Sequence, residues 1–95
     1  VETHKPFFGS CVDVAQGGLE GVVVCQGYMP DQAGARRNFE EVRAMVDVNL
    51  LSSMSLLNLA ADYFERRLRG CICAVSSVAA DRGRQSNYLY GCTKA

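Results

Sequence analysis

Apolar residues in this chain gather into two short runs, Gly21-Val22-Val23-Val24-Cys25 and Cys71-Ile72-Cys73-Ala74-Val75, with a long periodic stretch between them. Continuous apolar runs of this length predict strands covered on both faces. Gln26-Gly27 ends the first run and Ser76-Ser77 the second. Between them Leu50, Met54, Leu57, Ala61, Phe64 and Leu68 recur at spacings of four and three, which predicts one apolar stripe along a helix. Asn38 is a candidate N-cap, and Glu41 three residues on completes an Asn-x-x-Glu box. Arg66, Arg67 and Arg69 crowd the far end, where cations suit the helix dipole, and Gly70 is placed as the C-terminal glycine. A helix of that length exceeds the average, so a kink or break is expected near Asp47 to Asn49.

The flanks carry weaker signals. Phe7 to Val12 reads as a short strand ending at Asp13, and Ala15-Gln16-Gly17-Gly18 as a turn. Tyr28 to Arg37 and Val78 to Ser86 read as loops, and a second helix is expected from about Asn87 to the chain end. The predicted order is strand, strand, helix, strand, helix. Gly21 to Val75 has the composition of a βαβ crossover between parallel strands, which argues for an open α/β sheet. Ligands of such sheets bind beyond the carboxyl ends of the strands. Asp13, Gln26-Gly27 and Ser77 are expected at those ends.

Composition narrows the functional classes. Ten basic and ten acidic side chains cancel, which removes any bulk electrostatic case for nucleic acid or a membrane surface. The apolar runs are strand-sized, so no membrane span is expected. The five cysteines are odd in number, and Cys71-x-Cys73 is not a zinc spacing. Cys11, Cys25, Cys71 and Cys73 sit in apolar runs and are expected to be buried, reduced thiols of a cytoplasmic protein. His4 is the sole histidine and lies near the chain start, which argues against a histidine triad or metal site within these residues. The chain starts at Val1 and stops one residue past Lys94, and is expected to be a piece of a longer protein.

The candidate chemistry lies near the C-terminus. Tyr90 and Lys94 are four apart, on one face of a helix if Tyr90 begins it. An ammonium one turn from a phenol favours the phenolate, and a phenol so tuned can exchange a proton with a substrate oxygen. Ser77, thirteen residues before Tyr90, can hydrogen-bond the same oxygen. Ser76 is the rival hydroxyl, but adjacent strand positions face opposite ways. Tyr88 is the rival phenol, but six residues from Lys94 it faces elsewhere on a helix.

Tyr90-x-x-x-Lys94, Ser77 at its spacing, and Asn49 in Asp-Val-Asn-Leu together resemble the short-chain dehydrogenases/reductases over essentially the whole chain. The resemblance implies a Rossmann-like doubly wound parallel sheet, with residues 1–95 as the central part of one NAD(P)-binding domain. It implies Tyr90 as general acid/base, Ser77 as its partner on the substrate carbonyl, and Lys94 on the nicotinamide ribose. Asn49 would sit at a helix kink and hold the water that links Lys94 to solvent. Asp13-Val14 resembles the family's adenine-contacting pair after its third strand. Cys25-Gln26-Gly27 lies where the family usually has Asn-Ala-Gly, with Gly27 packed against NAD or NADP. The Cys and Gln depart from that pattern. So does the short connection from Asp13 to Gly21, where the family places a full helix; that helix is expected to be shortened or absent.

The run from Ser76 to Tyr88 resembles bacterial members that reduce a 2-keto pentose on decaprenyl phosphate; Arg82 and Arg84 within it read as a solvated loop, with contact to a substrate phosphate as the other reading. A small-molecule carbonyl or alcohol is the implied substrate and a homo-oligomer the implied full-length state. Two other readings stay open: a same-fold nucleotide-sugar epimerase or dehydratase, and a non-catalytic protein that kept the fold. The family's glycine-rich first turn is not among these residues, so the chain alone is expected to bind cofactor weakly.

Overall fold

The computed structural model describes residues Val1–Ala95. Strands β1 (Gly21–Val24) and β2 (Cys71–Ala74) pair in parallel, with Gly21 opposite Cys71 and Val24 opposite Ala74. Parallel neighbours need a long crossover, and here it is helical. It comprises α2 (Gln32–Arg37), α3 (Phe39–Val46), a π-helical turn (Asp47–Leu51) and α4 (Ser52–Arg67). Helix α1 (His4–Val14) precedes β1; α5 (Val78–Asp81) and α6 (Tyr88–Lys94) follow β2. This is a partial Rossmann-like α/β fold.

The expected kink is the π turn, where one extra residue enters the helix and turns the face that follows it. The stretch Phe39–Arg67 is thus one helical rod of 29 residues, long and apolar enough by length and composition to cross a bilayer. The length is as expected, but the strand-sized apolar runs give no expectation of a span; here the rod serves as the crossover between two paired strands. Asn38 caps it, its Oδ1 accepting from the Glu40 amide at 3.2 Å. Glu41 does not return the bond as a capping box would: its carboxylate accepts from the Tyr28 hydroxyl at 2.6 Å. The rod ends at Arg67, with Leu68 rather than a glycine in the left-handed region (φ 58°). Gly70, two residues on, is also at positive φ (126°), and a Cβ there would fall 2.1 Å from the Phe64 ring.

The face that the rod buries differs from the expected stripe. Met45, Asn49, Ala60 and Phe64 are buried, whereas Leu50, Met54 and Leu68 are exposed. Phe64 is buried as the stripe predicts, but at Asn49 and Ala60 the inward line lies one position before Leu50 and Ala61, because a polar and a small residue carry little hydrophobic signal. Burying Phe64 alone contributes roughly 1.5–3 kcal/mol.

The segment Phe7 to Val12, expected as a strand, is the middle of α1. Six residues are too few to separate a strand from a helix by pattern. The covered positions His4, Phe8, Cys11, Val12 and Ala15 recur at helical spacing. Pro6 sits in the first turn, where its missing N–H costs nothing. Helix α1 packs on α4: the Phe8 and Tyr63 rings meet edge-on at 5.8 Å, and His4 Nδ1 lies 3.0 Å from Ser55 Oγ. The crossover helix that seemed shortened or absent before Gly21 is therefore α1 itself. The turn after it holds Gly17 and Gly18 at positive φ, and Arg67 donates to the Gly17 carbonyl at 2.9 Å.

The chain is elongated, 47 × 26 × 16 Å, and 9 of its 95 residues are buried, so its two-stranded sheet is largely uncovered. Val24 points into the α4 side and is 4% exposed; Val23, on the opposite face, is 65% exposed. This corrects the reading of the cysteines. All five are free, but Cys25, Cys71, Cys73 and Cys92 are exposed and Cys11 is half-buried. Apolar runs of strand length say that a sheet face can be covered; no layer within these residues lies over that face.

Candidate active site

The exits of both strands converge on α6. From β1 the chain continues as Cys25-Gln26-Gly27-Tyr28, and from β2 as Val75-Ser76-Ser77. Lys94 Nζ joins the two, donating to the Val75 carbonyl at 2.8 Å and to the Gln26 carbonyl at 3.3 Å. An ammonium has three protons, so one donor remains. Ser76 Oγ donates to the Lys94 carbonyl at 2.6 Å and fixes the same residue from its main chain.

Ser77 takes the role that its position after a strand suits, capping α5 by accepting from the Ala79 amide at 3.2 Å. As an acceptor there, its hydroxyl keeps its own proton for another partner. Helix α5 then packs on α6 so tightly that a Cβ on Gly91 would lie 2.4 Å from the Ala79 carbonyl oxygen. Ser77 and Tyr90 are thereby carried by two helices in direct contact.

Tyr90 Oη lies beside Gly27 and Asn49. A Cβ built on Gly27 would be 3.9 Å from that hydroxyl and 4.0 Å from Asn49 Oδ1, at ordinary contact distance. Asn49, 3% exposed in the π turn, is fully engaged. Its Oδ1 accepts from the Tyr28 amide at 2.7 Å, and its Nδ2 donates to the Tyr28 carbonyl at 2.9 Å and to Thr93 Oγ1 at 2.8 Å. These bonds clamp the chain leaving β1.

Gln26 works in two directions. Its carbonyl takes the lysine, and its side-chain amide donates to Ser52 Oγ at 2.9 Å, tying β1's exit to the start of α4. A longer, polar side chain where the family usually has alanine thus finds a partner. Cys25 is exposed and makes no such tie. Tyr28, beside the clamp, donates to Glu41, and that hydrogen bond holds its phenol above the ordinary tyrosine range, with desolvation and the carboxylate's charge adding to it.

Asp13 and Val14 stand apart. They close α1 instead of following a strand, Val14 is 82% exposed, and Asp13 lines a surface groove with Lys5, Phe8, Tyr63 and Arg66. The adenine-contact assignment rested on a strand that is a helix. Thr93, in contrast, is a site residue that the sequence did not single out; its hydroxyl donates to the Tyr90 carbonyl at 2.7 Å and accepts from Asn49. Its place inside Tyr-Gly-Cys-Thr-Lys was the available signal.

The same residues align with known proteins. An uncharacterised oxidoreductase of Mycobacterium tuberculosis, found in two strains, is 34% identical over 92 residues, covering 97% of this chain and 36% of the relative. An uncharacterised oxidoreductase of Myxococcus xanthus is 31% identical over 84 residues, covering 88% of this chain and 33% of the relative. The chain spans about a third of the length of these curated relatives. The short chain dehydrogenase family matches residues 3–95, from before α1 to the end of α6. With that match across both strands and the crossover between them, the chain belongs to the short-chain dehydrogenase family.

Proposed function

We propose that the protein carrying this chain is an NAD(P)-dependent oxidoreductase that reduces a carbonyl or oxidises an alcohol. Tyr90, Ser77, Lys94 and Asn49 would be its working residues. The observation that carries this reading is Lys94 bridging the carbonyls of Gln26 and Val75 while Tyr90 Oη lies beside Gly27. An ammonium and a phenol are thus presented together at the strand exits, where α/β sheets bind ligands.

The residues fit a nicotinamide dinucleotide. Lys94 has one proton left for a ribose hydroxyl, and exposed Gly27 offers backbone with no side chain in the way. The bound cofactor supplies the hydride. Tyr90 passes the proton to the substrate oxygen in reduction and takes it back in oxidation. Ser77, its proton uncommitted, donates to that same oxygen and holds it at the phenol. Asn49 keeps the β1 exit, and with it Gly27, at a fixed place.

Exposed Arg82 and Arg84, in the loop between α5 and α6, support an anionic substrate such as a polyprenyl-phosphate-linked keto sugar. The experiment is isotope transfer with the full-length protein. Cofactor deuterated at the nicotinamide C4 is incubated with a panel of carbonyl compounds, including phosphate-linked keto sugars. Deuterium at the product's carbinol carbon is expected; consumption of no carbonyl across the panel would contradict the proposal.

A further inference from the structure

Thr93 is one of the few buried polar residues of the chain, 8% exposed, and the reaction above makes no use of it. Its hydroxyl has both of its roles filled. It donates to the Tyr90 carbonyl at 2.7 Å, one helical turn back, and accepts from Asn49 Nδ2 at 2.8 Å. Asn49 in turn holds both main-chain groups of Tyr28. A continuous line of hydrogen bonds therefore runs from α6 through Thr93 to the π turn and on to the chain leaving β1.

Helix α6 runs over Tyr88–Lys94, and side chains from neighbouring elements hold it in place. Gly91 sets how closely it approaches α5, but a glycine contact does not fix rotation. Directional bonds do: Ser76 holds the Lys94 carbonyl, Lys94 Nζ holds the strand exits, Gln32 accepts from the Leu89 amide, and Thr93 alone ties the helix to the π turn through Asn49. Thr93 lies three residues after Tyr90 and immediately before Lys94, so turning Thr93 away from Asn49 turns both of them.

We propose that Thr93 is a positioning residue, whose hydroxyl sets the rotation of α6 and so aims Tyr90 and Lys94 at the β1 exit. The inference rests on the oxidoreductase reading for what is being aimed, but its structural half stands by itself. Valine has the shape of threonine without the hydroxyl; serine keeps the hydroxyl without the methyl.

The experiment compares wild type, Thr93→Val and Thr93→Ser in the full-length protein. Steady-state kinetics across pH are measured with the carbonyl substrate found by isotope transfer, and amide exchange is measured at Tyr28. Thr93→Val is expected to lower kcat on the order of ten- to a hundredfold, as misaimed catalytic groups do, with KM little changed. It is also expected to shift the pH profile of kcat and speed exchange of the Tyr28 amide. Thr93→Ser is expected to restore all three. Wild-type kcat, pH profile and exchange in Thr93→Val would overturn the proposal.

Should Thr93→Val fail to fold, the wild-type protein still decides. The two Asn49 side-chain amide protons are expected to be well separated and slow to exchange by nuclear magnetic resonance. A freely exchanging Asn49 amide overturns the proposal. Absence of turnover in the wild type, with the Asn49 amide protected, would instead strike the oxidoreductase reading and leave the Thr93 tie in place.

Discussion

Gly91 on α6 and Ala79 on α5 touch backbone to backbone: a Cβ on Gly91 would lie 2.4 Å from the Ala79 carbonyl oxygen and 3.2 Å from its carbonyl carbon. Neither atom can swing aside as a flexible side chain would. Gly91→Ala is therefore expected to push α6 off α5. Overpacking of this kind costs about 1–3 kcal/mol. Because Gly91 follows Tyr90, the displacement is expected to lower activity beyond what the loss of stability explains. Thermal melts and kcat of the full-length variant check both.

Gly70 makes a similar contact with a side chain. It stands at φ 126°, and an added Cβ would fall 2.1 Å from the Phe64 ring, which is buried beneath the sheet. Gly70→Ala combines a strained backbone with a displaced core aromatic and is expected to destabilise by about 1–3 kcal/mol. A lowered midpoint in chemical denaturation, with little change in the kinetics of the remaining folded protein, is the expected result.

The Tyr28–Glu41 pair predicts a pH effect. The carboxylate accepts the phenolic proton at 2.6 Å and favours the protonated phenol, raising its ionisation above the ordinary value. A phenol raised on folding contributes its stability below the unfolded value of about 10 and loses it as pH climbs through the folded one. The window is therefore alkaline. Difference titration of tyrosinate absorbance between wild type and Tyr28→Phe is expected to place Tyr28 above a free tyrosine, and Glu41→Gln is expected to bring it down.

Arg82 and Arg84 are exposed in the loop between α5 and α6. If the substrate is anionic, Arg82→Ala and Arg84→Ala are each expected to raise KM for a phosphate-bearing carbonyl on the order of tenfold, the worth of a charge-assisted hydrogen bond. KM for a neutral carbonyl is expected to stay unchanged. Equal effects on both substrates would remove the phosphate from the account.

The parts of the fold legible in the sequence were those where one residue class fills a whole element. Val22-Val23-Val24 could be little other than a strand, and the strand–helix–strand order around it followed. The break in the long helix was also legible, at Asp47 to Asn49, where the π turn lies. Legibility failed where packing outweighs local pattern. Phe7 to Val12 carries two aromatics and a valine, but its contacts with α4 make it helix. The inward line of the rod was hidden because it includes Asn49, a residue buried for its hydrogen bonds and not for its apolar surface. Tyr90 and Lys94 announced themselves by spacing; Thr93 did not, because its partners Asn49 and Tyr28 come from far along the chain and only folding brings them near.

Tyr90→Phe in the full-length protein tests the central claim most directly. Phenylalanine keeps the ring and removes only the hydroxyl that lies beside Gly27, so folding and melting temperature are expected to stay near wild type. Loss of a general acid costs on the order of a hundred- to ten-thousandfold in rate. The expected result is that nicotinamide-dependent carbonyl reduction falls by that much while the protein remains folded. A folded Tyr90→Phe variant that reduces the carbonyl at the wild-type rate would contradict the account.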